Sequence, residues 1–129
     1  MISLIRPILN LPFFYESYHH LIGADYRSQV LVDEYVRPNA GDRILDIGCG
    51  PGNMLPFLPK CDYLGFDANP AYIQSARARY GHRGEFHCER VSHHNVQKFG
   101  EFDIVLALGL LHHLEDGEGR DLFRLAAAA

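Results

Sequence analysis

The segment Ile44-Leu45-Asp46-Ile47-Gly48-Cys49-Gly50-Pro51-Gly52-Asn53 constrains the fold of this chain more than any other. A short β-branched run that ends in alternating glycines reads as a buried strand followed by a sharp turn. Without Cβ atoms, the backbone of that turn can approach a ligand closely. In an open parallel sheet, ligands sit beyond the carboxyl ends of the strands, near the switch point of the strand order. Asp67 ends the next strand, Tyr63-Leu64-Gly65-Phe66-Asp67, 21 residues after Asp46. An acid at that place can accept hydrogen bonds from both hydroxyls of a ribose, so the two features together predict a nucleoside-containing ligand. The dinucleotide fingerprint G-x-G-x-x-G is not met, because its third glycine would fall at Asn53. That spacing disfavours a nicotinamide oxidoreductase.

The rest of the chain supports a sheet of this kind. Leu21, Ile22, Tyr26, Val30, Leu31 and Tyr35 recur at roughly helical intervals and predict one or two helices. Pro38-Asn39-Ala40-Gly41 then breaks the chain, dividing an amino-terminal helical segment, 1–40, from a unit over 41–129. After the second strand, Asn69 or Asp67 is placed to cap a helix with Pro70 near its first position, and Ala71 to Tyr80 reads as that helix. Gly81 and Gly84 are expected to end it. Glu85 to Val91 is a third strand candidate, and Phe102 to Leu108 a fourth. Glu115 to Ala129 reads as a helix. Short apolar strands alternating with helices imply a doubly wound α/β fold, with a parallel sheet covered on both faces.

Composition narrows the function classes. At 129 residues, 47% apolar and 22% charged, the chain suits one domain with a substantial core. A net charge of −4 gives no footprint for a sequence-independent nucleic-acid binder. Arg77, Arg79 and Arg83 cluster, but such a run on a helix reads first as a solvated face. Cys49, Cys61 and Cys88 form no C-x-x-C pair, so neither a disulfide framework nor a zinc ribbon is indicated, and a reducing cytoplasm is the simplest setting. The apolar opening, Met1 to Phe14, is interrupted by Arg6, Pro7, Asn10 and Pro12 and does not read as a signal peptide. No run approaches the ~20 apolar residues that span a bilayer. The adjacent pairs His19-His20, His93-His94 and His112-His113 lack H-x-x-x-H spacing, so no metal site is expected.

The string Leu45-Asp46-Ile47-Gly48-Cys49-Gly50-Pro51-Gly52 strongly resembles motif I of class I S-adenosylmethionine (SAM)-dependent methyltransferases. Leu64-Gly65-Phe66-Asp67 with Asn69-Pro70 resembles that family's second motif. Phe102 to Leu108 with Leu111-His112-His113-Leu114 resembles its fourth-strand motif. The resemblance covers about residues 13–128 and implies a Rossmann-like domain over 41–129 that takes SAM as cofactor. It places the methionine end against Gly48, Gly50 and the Asp46 region, counts Cys49 and Gly52 of the same turn as cofactor-binding, and puts the ribose on Asp67 and the adenine against Ala68 or Asn69. Ala107 and Leu108 would line the pocket near the methionine moiety. Residues 1–40 resemble the family's lid, with Tyr15 at its aromatic position followed by Gly23 and Arg27. The family usually carries an acid after the third strand to bond the adenine amino group. Here that position is Arg90, which cannot accept a hydrogen bond, and the acid stands at Glu89 instead. Either Glu89 or a backbone carbonyl is left to take its place.

In this setting His112 and His113 are candidates for a base or a substrate-orienting group, or else belong to the turn into the next helix. Cys49 reads as a small residue packed under the turn, and Asp46 as either a ligand contact or a support for the turn's N–H groups. Four strands are read where the family fold usually has seven, so the chain is expected to be truncated. The fourth strand would then lie at an exposed edge, which a second copy could cover. The implied activity is methyl transfer from SAM to a small-molecule acceptor. The alternatives are an RNA or protein acceptor, or a SAM-binding module without catalysis.

Overall fold

The computed structural model describes residues 24–108, 120, 124–126 and 128. Helix α1, Ala24–Leu31, runs on into a π-helical turn, Val32–Val36, that ends at Arg37 in the left-handed region. Four strands follow: β1 over Arg43–Ile47, β2 over Asp62–Phe66, β3 over Gly84–His87 and β4 over Ile104–Leu106. Helix α2, Pro70–Tyr80, connects β2 to β3, and the short helix α3, His93–Val96, lies between β3 and β4. Every pair in the sheet is parallel and the order is β3-β2-β1-β4. The chain therefore reverses direction across the sheet between β1 and β4, which creates the switch point anticipated from the sequence.

Side chains on a strand alternate between its two faces, and here both faces are apolar. Ile44 of β1 joins Tyr63, Phe86, Ile104 and Leu106 in one core, closed by Val32 and Val36 and by Ile73 and Ala76 of α2. Leu45 and Ile47 join Leu64, Phe66 and Val105 in a second core, closed by Val96, Phe102, Leu125 and Ala126. The fold is the doubly wound α/β architecture that the strand and helix pattern predicts.

Three boundaries differ from the sequence reading. Strand β3 stops at His87 rather than Val91. The segment after it is drawn into a capping box, in which Ser92 Oγ accepts from Asn95 N at 3.2 Å and Asn95 Oδ1 accepts from Ser92 N at 2.7 Å. Strand β4 is three residues long, and Ala107 and Leu108 already lie beyond its carboxyl end. Gly84 opens β3 instead of ending α2, because a Cβ there would lie 2.7 Å from the Tyr63 ring. At the start of α2 the cap is Asn69, whose Oδ1 accepts from Ala71 N at 3.0 Å.

The arginine cluster is more than a solvated face. Arg77 donates twice to the Phe86 carbonyl, tying α2 to β3. Arg83 donates to the carbonyls of Leu55 and Leu58 at 2.8 and 3.0 Å. No helix among the described residues is long and apolar enough to cross a membrane.

Candidate functional site

The carboxyl ends of β1 and β2 meet in a connected set of backbone and side-chain hydrogen bonds. The Phe66 carbonyl accepts from both Gly48 N at 2.8 Å and Cys49 N at 3.0 Å, which folds the turn back over β2. Gly48, Gly50 and Gly52 have φ of 73°, 56° and 83°, a backbone region that strongly favours glycine. Asp67 fastens the next peptide unit, its Oδ2 accepting from Gly50 N at 3.0 Å while Oδ1 accepts from Asn69 N at 2.8 Å. Each carboxylate oxygen can accept more than one hydrogen bond, so Asp67 retains capacity for a ligand's hydroxyls. A Cβ built on Gly50 would meet nothing within 4 Å, so the turn faces open space at that residue.

Beneath the turn, Cys49 is 8% exposed and its sulfur occupies the room left by Gly65, where an added Cβ would lie 2.8 Å from Sγ. Burial pushes the Cys49 thiol well up, and the negative charges of Asp46 and Asp67 push in the same direction. It is a neutral packing group. Asp46 is 3% exposed and accepts a hydrogen bond from the Tyr63 hydroxyl at 2.6 Å. Burial raises the Asp46 carboxyl to about 6; the Tyr63 bond opposes the rise, and the nearby Asp67 charge adds to it. Of the two readings of Asp46, support for the turn's N–H groups is overturned: those groups are held by the Phe66 carbonyl and by Asp67.

The other candidate positions surround this centre. Ala68 and Asn69 are exposed at the start of α2, with the Asn69 side chain engaged as its cap. Past β3, Glu89 Oε1 stands 4.0 Å from His87 Nδ1, and the Arg90 carbonyl accepts from Asn95 Nδ2 at 2.8 Å. Ala107 is buried and Leu108 half-buried just past β4, the strand that pairs with β1. Arg27 is half-buried on α1. Tyr15, His112 and His113 lie outside the described residues. Among the described residues no group of three metal-ligating side chains comes together.

Two contributors escaped the sequence reading. In the sequence Tyr63 is marked only as a strand residue, although a buried tyrosine hydroxyl needs a partner and Asp46 is the acid in reach. Gly65 stands in the sequence only as part of a motif, whereas its missing Cβ is what lets Cys49 sit under the turn.

A parallel sheet in the order β3-β2-β1-β4, with a glycine turn after β1 and an acid after β2, is the Rossmann-like arrangement that class I SAM-dependent methyltransferases share with dinucleotide-binding domains. The chain belongs to the methyltransferase domain family, whose model matches residues 44–129. An uncharacterized protein of Synechococcus is 34% identical over 93 residues, covering 66% of this chain and 22% of that protein. The ubiquinone biosynthesis O-methyltransferase of Aromatoleum aromaticum is 32% identical over 82 residues, 60% of this chain and 35% of the enzyme. The chain thus spans about a third or less of the length of these two relatives. Magnesium protoporphyrin IX methyltransferase from Synechocystis, solved with bound SAM, superposes with a TM-score of 0.62 at 18% identity, over 96% of this chain and 69% of that one. A SAM-dependent methyltransferase from Thiobacillus denitrificans, in complex with S-adenosylhomocysteine, gives 0.62 at 19% identity, over 92% and 50%. At these identities the superpositions establish the fold.

Proposed function

We propose that this chain binds SAM at the carboxyl ends of β1 and β2 and takes part in methyl transfer to a small-molecule acceptor. The observation that carries the reading is Asp67, a carboxylate tied to Gly50 N and Asn69 N beside a turn that faces open space. The donor set fits a nucleoside cofactor: a charged acceptor for ribose hydroxyls, a glycine backbone for close approach, and Ala68 and Asn69 exposed on the adenine side. Asp46, Gly48, Gly50 and Gly52 would face the methionine end, with Cys49 packed beneath them rather than in contact with it, and Ala107 and Leu108 beside them. Residues 1–40, including Tyr15 and Arg27, are proposed as the lid, and His112 or His113 as the group near the acceptor. Bound SAM supplies an activated methyl group on a sulfonium. What the chain contributes is alignment and exclusion of water, and alignment alone can lower such a barrier by ~7–11 kcal/mol.

A small acceptor is favoured by the net charge of −4 and by the Aromatoleum relative, an O-methyltransferase of ubiquinone biosynthesis. Incubation with methyl-labelled SAM and a fractionated cell extract tests the acceptor class. Label is expected in the small-molecule fraction. Label in RNA or protein would contradict that class, and SAM binding with no transfer to any fraction would favour a binding module.

A further inference from the structure

We propose that Tyr63 is a positioning residue of the cofactor site, its hydroxyl fixing the Asp46 carboxylate in the ionised form beneath the mouth of the glycine turn. The inference rests on the SAM reading above and adds a residue to it. Tyr63 and Asp46 are both buried, on neighbouring strands and on the same face, since Tyr63 pairs with Ile44 and Gly65 with Asp46. The phenol reaches along the sheet to Asp46 Oδ2 at 2.6 Å, a short bond to an anionic acceptor. The ring is clamped in that pose by Phe86, with centroids 5.7 Å apart, and by Gly84, where any Cβ would strike it at 2.7 Å. The Tyr63 bond engages Oδ2, one of the two Asp46 carboxylate oxygens.

Asp46 lies two residues before Gly48, where the turn begins, in a setting of low dielectric where a carboxylate attracts a cation far more than it does in water. SAM carries positive charge on its ammonium and sulfonium groups. Among the described residues, the titratable groups acting on Asp46 are Tyr63, Asp67 and Cys49. Burial and Asp67 both favour the protonated acid, and only the Tyr63 bond favours the anion. Cys49 and Tyr63 are themselves pushed up and stay neutral. Removing the phenol oxygen therefore protonates Asp46 at a higher pH.

The test is calorimetric titration with SAM from pH 5.5 to 8.5 on the wild-type chain, Tyr63→Phe and Asp46→Asn. The wild type should lose affinity as pH falls through about 6, the value to which Asp46 is raised. Tyr63→Phe, which keeps the ring, should bind about tenfold more weakly near pH 6.5 and recover toward pH 8.5, the factor expected for one hydrogen bond to a charged acceptor. Asp46→Asn should bind weakly at every pH, without the acid step. In parallel, NMR of the Asp46 carboxyl carbon should show its titration moved upward in Tyr63→Phe without any cofactor. An unmoved carboxyl titration, an unshifted Tyr63→Phe binding profile, or an Asp46→Asn profile like the wild type's would each overturn the inference alone. No SAM binding by the wild type at any pH would overturn the underlying reading as well.

Discussion

Burial of Asp46 works against the stability of the fold at neutral pH. Its carboxyl is raised from an ordinary 3.8 to about 6, so between those values the folded chain binds more protons than the unfolded one. The stability contributed by the protonated acid is complete below about 3.8 and is lost as pH rises through about 6. Above that range the ionised group costs roughly 2–3 kcal/mol. Asp46→Asn keeps an acceptor for the Tyr63 hydroxyl and removes the charge. It should stabilise the chain at pH 7.5 by roughly 1–3 kcal/mol in urea denaturation, with the gain shrinking toward pH 4. A residue retained at such a cost is what a functional site predicts. Gly65 gives a complementary prediction. In Gly65→Ala the new Cβ would lie 2.8 Å from Cys49 Sγ and 3.1 Å from Phe86 Cδ1. Overpacking of this kind costs about 1–3 kcal/mol, and Cys49→Ala in the same chain should return part of it. At this scale the placing of Asp67 and the turn glycines was legible in the sequence, because glycines and an acid directly after apolar runs mark the carboxyl ends of strands. The Asp46–Tyr63 bond was not, because it joins residues that only the register of β1 against β2 brings together.

The elements were legible in their cores and less so at their ends. Strands β1 and β2 lie within one residue of the apolar runs that announce them, since both are buried on both faces. Strand β3 ends at His87, one residue after the buried Phe86 that anchors it and well short of Val91, because Ser92 and Asn95 exchange hydrogen bonds that commit the chain to α3. A Ser with an Asn three residues later is a weak variant of the capping box, and the apolar Val91 before it masked the signal. Helix α2 was read almost to the residue, with Asn69 and Pro70 at its start and Gly81 at its end. Because the Asn69 side chain caps that helix, Asn69→Ala should destabilise the chain by about 1 kcal/mol, whereas Asn69→Asp or Asn69→Ser should cost little. Denaturation midpoints of the three variants decide this. A similar loss in all three would mean the side chain acts elsewhere than at the cap.

Over the whole molecule, two cores clamp one parallel sheet, and the turn and acid stand together where the strand order reverses. That arrangement followed from the alternation of strands and helices. What the order of elements could not supply was the acceptor side of the pocket, because Tyr15, His112 and His113 carry no signal beyond their place in a motif. A ligand that binds only the folded chain must also stabilise it. SAM at a hundred times its dissociation constant should add about 2.7 kcal/mol to unfolding, and NAD should add nothing. The central claim is that Asp67, beside the glycine turn, holds the ribose of SAM. Calorimetric titration of the purified chain and of Asp67→Ala with SAM and S-adenosylhomocysteine tests it most directly. The account predicts saturable one-site binding of both ligands by the wild type, weakened about a hundredfold in the variant, the scale of a lost pair of hydrogen bonds to a charged acceptor. Equal binding by a folded Asp67→Ala chain, or none by a folded wild type, would contradict it.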